Sequence, residues 1–593
     1  MSKFKKIFCF ILSIVTTICI SFDFIYNIGG FNGNDFRWVI ILAVVNILIS
    51  KALVLYEKRL YKCSIAFGFI IASCATIGRT AEKYFTENLA IGIKDVIVIL
   101  GQFEAIFVCV SAVTIIVLSH LPKLMENIKN SKKWIFFTNN KKSIFFVAVL
   151  LFIAYLPYLL YYYPGNVLID STVQIMQGMG VMEFTTHHPP IHTAIITACV
   201  KLGHSITGSY NFGAFLYTLG QTLITCFLFS YTIYYMAKKK VPRCIRIISL
   251  LFYAFCPTIS FLTITMYKDI PFALSLLALT ICMTEMATNI EGFMKHKSRI
   301  LLTIIAVFLV SIFRNNGLYA VILSIPIILI MVKKQKIKVG AIFVTGILIC
   351  LFVTGPVYNM CKIKKGSSKE AFSVILQQYA RVTKYKGDEL SDEEKSNIHK
   401  YLPVDNLAEL YDPVFADPVK HQFSDEAFKE DKATLFKTYI HFAIKYPGHT
   451  IASIVCNSFA YYYPNNLGWG VYKGVDEEYF LEGTNYGFKE EPIVNITALD
   501  EVNKFVNTRN VPIVSMFVSI GFLFWMLVFG VVYCIYTRKY NLILAYIPLL
   551  CMWITILASP VFGEPRYVYG LFTCLPLLLG MSLKDNRKLN IKE

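Results

Sequence analysis

The chain has 593 residues, 56% of them hydrophobic and 16% charged, with a mean hydropathy of +0.57 and a formal net charge of +19. That balance excludes a soluble protein, which at this length would need far more polar surface. The excess positive charge falls in short clusters between apolar runs, the signature of cytoplasmic membrane loops, and so gives no support for a nucleic-acid partner.

Apolar stretches of about 17–25 residues, long enough to cross the hydrocarbon core as helices, recur along the chain. They predict an all-α polytopic membrane protein with about fourteen transmembrane helices: 7–28, 38–56, 61–79, 95–120, 144–163, 211–236, 245–266, 270–289, 300–314, 316–332, 339–357, 511–536, 541–559 and 566–582. The basic start, Met1 to Lys6, resembles a signal peptide. Its apolar run is too long and no small-residue cleavage site follows, so a retained first helix is expected.

With the N-terminus in the cytoplasm, alternation places Lys58, Arg59 and Lys62 inside, then Lys123 to Lys142, Lys238 to Arg246, Lys295 to Arg299, Lys333 to Lys338, Arg538 with Lys539, and the tail from Lys584 to Lys592. Both termini are therefore expected to be cytoplasmic in a multi-pass protein of the cell membrane. The 16 cysteines lie mostly within apolar segments and imply neither a disulfide framework nor a cysteine metal site.

Four regions follow. Residues 1–143 form an N-terminal four-helix membrane module, closed by the Lys-rich stretch 121–143. Residues 144–358 form a core membrane domain whose first loop spans 164–210. Residues 359–510 hold 22 of the 38 acidic residues and 18 basic ones, and predict a large, mostly helical extracytoplasmic domain. Within it, 435–463 reads either as an amphipathic helix on the membrane surface or as a core helix of that domain. Residues 511–593 supply the last membrane helices and the tail.

Polar chemistry concentrates on the extracytoplasmic face. Asp170 follows Tyr161, Tyr162, Tyr163 and Pro164 at a span exit, and fits either a general base for an attacking hydroxyl or a helix N-cap. His187, His188 and His192 bracket Pro189 and Pro190 at a helix start; hydrogen-bonding roles are favoured over a metal. Lys268 and Asp269 form the polar content of a very short turn, as a cation and a second carboxylate or as a snorkelling lysine beside a cap. Arg314, with Asn315, Asn316 and Gly317, interrupts two apolar helices and suits a lipid-linked phosphate. Arg566 is similar, although Glu564 is available to pair with it. Gln377, Gln378 and Arg381 in the loop domain are the remaining candidates, with a surface role favoured for any one of them.

The strings YPG…IDSTVQ…HHPPIHT, YKDIPFA, FRNNG, LQQYARV and EPRYVYG, over roughly 144–582, resemble the GT-C superfamily of integral-membrane glycosyltransferases, in a bacterial branch without well-defined acceptors. The resemblance implies a GT-C-like core and transfer of a sugar from a polyprenyl-phosphate donor to an envelope glycan, lipid or protein hydroxyl. Asp170 would be the catalytic base and Asp269 a second acidic residue. Lys268, Arg314 and Arg566 would hold the donor phosphate, and Gln174, His187, His188, His192, Asn316 and Glu564 would contact substrate. Members related to oligosaccharyltransferases require a divalent metal; here a metal is an open alternative but not the favoured one, because a lysine precedes Asp269 and no acidic pair is obvious. Two alternatives stand beside this reading: a polysaccharide polymerase or ligase using a polyprenyl-pyrophosphate donor, and a lipid or polysaccharide transporter.

Overall fold

A computed structural model describes residues 3–23, 36–127, 140–465, 468, 470–481, 483–484 and 486–584. The end of the first expected span, most of the Lys-rich boundary and the basic tail beyond Lys584 lie outside the described residues.

The chain is a polytopic helical membrane protein. Among the described residues, nine helices are long and apolar enough to cross a membrane, or ten when the bent pair Arg243–Phe255 and Pro257–Thr263 is taken as one span. Asn315–Met331, Ile520–Tyr536 and Ile547–Ala558 are shorter apolar helices. The most deeply buried of the long helices, Asp269–Thr288, is apolar on every side and runs through the centre of the largest core cluster.

Prolines and caps set the departures from the expected spans. The 245–266 segment bends by 54° because Pro257 cannot donate a backbone hydrogen bond and holds Cys256 in an extended conformation. The 511–536 segment starts its α-helix only at Ile520, where the Ser519 side chain accepts from Phe522 N; Val514–Val518 before it is a 3-10 turn. The 435–463 segment is two helices, Lys432–Lys445 and Pro447–Ser458, broken at Pro447. Leu435, Phe442 and Tyr446 pack into the core of the 359–510 region, while Phe436, Ile440, Ile444 and Ile451 are exposed. The first loop contains a helix that spans Pro190–Thr207, opened by Pro189 and Pro190 and closed by Gly208 in the left-handed conformation.

The N-terminal module is tied to the rest of the chain. Lys58–Thr80 packs on Ile520–Tyr536, and Arg381, almost fully buried, donates to Phe85 O at 3.0 Å and to Asn88 Oδ1 at 2.9 Å. The surface role expected for Gln377, Gln378 and Arg381 is therefore corrected. All three are buried, and the two glutamines donate to Asp412 O and to Tyr439 O inside the loop region. Burial is tolerated because their amide nitrogens and the Arg381 Nη groups find hydrogen-bond acceptors inside the protein.

Candidate active site

Three distant segments are stitched side by side where the first loop leaves the bundle. Asn166 pairs with Thr265, and Val167 with Val475, in parallel bridges. Asn166 N donates to Ile264 O, Val167 N to Gly474 O and Asp476 N to Val167 O, each at 2.9 Å. The Asn166 side chain, fully buried, donates to Thr265 Oγ1 and accepts from Gly474 N, both at 2.9 Å. Close approach demands Gly165: its φ is +113°, and a Cβ there would lie 2.9 Å from Ile264 O. Because the three segments run parallel, the residues that follow them emerge at one edge. Asp170 follows the first, Lys268 and Asp269 the second, and Asp476 the third.

At that edge Asp170 Oδ2 accepts from Arg566 Nη1 at 2.9 Å and from Lys268 Nζ at 3.3 Å. These partners stand 396 and 98 residues away in the chain. The helix Ile169–Gly178 takes no side-chain cap from its own residues; Ile169 N donates instead to Asp476 Oδ2 at 2.9 Å. Asp170 thus spends its carboxylate on cations rather than on capping. Burial alone would push its carboxyl up, but Arg566 and then Lys268 hold it well below the usual carboxylate range.

Lys268 Nζ also lies 3.0 Å from Nδ1 of His188, which is buried. Burial, with Lys268 beside it, pushes the His188 imidazole well below its ordinary value. The neutral ring accepts at Nδ1, and Lys268 bridges it to Asp170.

A second ion pair lies beside the first. Arg314, in extended conformation between the helices Lys297–Phe313 and Asn315–Met331, pairs with fully buried Asp269. The other Asp269 oxygen accepts no hydrogen bond among the described residues. Tyr567 joins the pairs, with the Arg314 guanidinium 4.3 Å and the Arg566 guanidinium 5.1 Å from its ring centre. Arg566 also lies 4.3 Å over the Tyr267 ring. Glu564 Oε1 is 3.5 Å from Arg566 Nε. Burial, then Asp269 and Asp170 against the pull of Arg566, pushes the Glu564 carboxyl up to about 7.

The remaining candidates divide. His192 is fully buried, with Nδ1 2.6 Å from Gln174 Oε1 and Nε2 2.6 Å from Tyr217 OH. Gln174 donates through Nε2 to Asp170 O, so its Oε1 must accept and His192 Nδ1 must carry the proton. Burial pushes this imidazole down to about 3, which keeps it neutral. Gln174 and His192 therefore brace the Asp170 helix from within the wall. His187 is exposed and packs edge-on against His188 at 4.6 Å. Asn316 is half-buried, and its carbonyl accepts from Thr555 Oγ1 at 3.4 Å. Among the described residues no three His, Cys, Asp or Glu side chains are grouped to hold a metal ion.

Sequence reasoning overlooked four contributors: Asn166, Tyr267, Tyr567 and Asp476. The two tyrosines flank charges in YKD and PRY and were open to notice. Asp476 sits in the acidic run VDEEY and reads as ordinary solvated charge.

Fold and site together define a polytopic helical membrane protein with a cluster of ion-paired loop residues at the ends of its helices. Residues 179–593 match the model of a family of unknown function (DUF6020), and the chain belongs to that family. The match includes Lys268, Asp269, Arg314, Glu564 and Arg566, and begins after Asp170. No curated protein and no solved structure matches the chain.

Proposed function

We propose that the chain is an integral-membrane glycosyltransferase of GT-C type, moving a sugar from a polyprenyl-phosphate donor to an acceptor hydroxyl on the extracytoplasmic face. The observation that carries this reading is the charge of the cluster. Three cations, Lys268, Arg314 and Arg566, meet two committed carboxylates, Asp170 and Asp269, while Glu564 holds its proton up to about pH 7. Two guanidinium groups and an ammonium gathered in a partly buried site suit an anion, and arginine suits a phosphate.

With Lys268 and Arg566 on its carboxylate, Asp170 is a poor base. A donor phosphate that binds the same two cations withdraws them and restores the basicity of Asp170. The acceptor oxygen then bonds to the anomeric carbon from the face opposite the phosphate, and the carbon–oxygen bond to the phosphate breaks. The hydroxyl proton goes to Asp170, and polyprenyl phosphate leaves on Lys268 and Arg566, with Arg314 adding to the field. One displacement inverts the anomeric configuration.

The reading places the chain in the cell membrane with about fourteen spans, the bent pair, the three shorter apolar helices and Lys297–Phe313 crossing with the nine long ones. The one-sided basic clusters support cytoplasmic termini and an outward-facing site. Mass spectrometry of envelope glycans from cells with and without the protein tests the reading. Loss of one sugar from one glycan supports it, and identical glycan profiles oppose it.

A further inference from the structure

Asp476 shares the edge that bears Asp170 and Lys268, yet it has no place in donor binding. It is pinned there by its backbone, with Asp476 N on Val167 O, and by its side chain, with Oδ2 on Ile169 N, each at 2.9 Å. The turn that follows, Glu477–Tyr479, packs on the Ile169–Gly178 helix, and Leu481 N reaches Met176 Sδ at 3.4 Å. Unlike Asp170 and Asp269, it forms no ion pair among the described residues. Its Oδ1 is thus an acceptor that no cation claims, at a spot partly open to solvent.

Two tyrosines stand near it in the chain, and Tyr479 N donates to Asp476 O at 3.2 Å. Tyr472 is 43% exposed and Tyr479 is 47% exposed, in a segment where Lys473, Glu477 and Glu478 also face solvent. Tyr472 lies within electrostatic range of Glu564, Arg566, Asp476 and Tyr479, so it is near both the cationic cluster and Asp476. A flat ring beside an unpaired acceptor matches a sugar. The C–H face of a pyranose is apolar and packs on an aromatic ring, while its hydroxyls are donors that a carboxylate receives. A peptide serine or a simple lipid alcohol offers one hydroxyl and no such face.

Resting on the reading of Asp170 as the base of a sugar transfer, we infer that Tyr472, Asp476 and Tyr479 form the acceptor subsite, and that the acceptor is a carbohydrate. Asp476 Oδ1 accepts a hydrogen bond from a hydroxyl next to the attacking one, and the tyrosine rings hold the sugar's apolar face. Backbone pairing of 474–476 to 166–167 then fixes the distance between acceptor and base.

Saturation-transfer NMR on the full chain in lipid nanodiscs tests this without any donor. The probes are methyl glycosides of the common hexoses and of N-acetylglucosamine, with a serine-containing peptide and a monoacylglycerol as competitors for the same surface. The expected result is ring-proton contact with at least one glycoside, weakened about tenfold in affinity by Tyr472→Ala and by Asp476→Asn. Asp476→Asn keeps an oxygen for Ile169 N, so it isolates binding from folding. Contact with the peptide or the monoacylglycerol alone, or glycoside contact that survives both substitutions, overturns the inference. Donor turnover by the unaltered chain is measured separately, so failure of the transferase reading and failure of the acceptor subsite give different results.

Discussion

Glu564→Gln is the perturbation whose size the structure sets best. The carboxyl is buried and raised from an ordinary 4.5 to about 7. Below pH 4.5 the folded and unfolded chains both hold the proton, and the group leaves stability unchanged. Between there and about 7 the folded chain keeps a proton that the unfolded chain releases, so stability falls as pH rises. Above that range the full cost is present, about 3 kcal/mol. Glutamine has nearly the same shape and cannot ionise. In thermal unfolding of the detergent-solubilised protein, the variant should melt several degrees above wild type at pH 8 and close to it at pH 5. An equal shift at both pH values, or a lower melting point at pH 8, would falsify the account of Glu564 as a carboxyl kept protonated by its surroundings.

Two further substitutions probe what holds the site together. Asn166→Ala leaves Gly474 N and Thr265 Oγ1 without their shared partner and should cost about 2–4 kcal/mol. The 470–480 segment should then gain protease sensitivity before the bundle does, and simultaneous loss of both would argue against local stitching. Arg381→Ala removes donors to Phe85 O, Asn88 and Tyr411 and should cost about 3 kcal/mol. Hydrogen exchange should rise around residues 85–88, and protection there equal to wild type would contradict the tie between the N-terminal module and the loop region.

Much of the membrane architecture was legible because the hydrocarbon core imposes a length and an apolar composition that survive any packing arrangement. Lys268, Arg314 and Arg566 were equally visible, since charges at the ends of apolar helices are costly and stand out. What the sequence could not display was partnership. Asp170 looked free to cap its own helix, whereas two cations from distant turns claim its carboxylate and Asp476 provides the cap. His192 looked like a substrate contact because it sits among other histidines. Only three-dimensional packing reveals that Gln174 and Tyr217 occupy both of its ring nitrogens. The parallel bridges at 166, 265 and 475 involve too few residues to leave any alternation, so Asp476 carried no signal at all.

Transfer of radiolabelled sugar from polyprenyl phosphate by membranes carrying Asp170→Asn is the most direct measurement of the central claim. An asparagine of the same shape still meets Lys268 and Arg566 but cannot take the hydroxyl proton. The account predicts a fall in transfer rate of about 10²–10⁴-fold at wild-type levels of inserted protein. A variant that transfers sugar at close to the wild-type rate contradicts it.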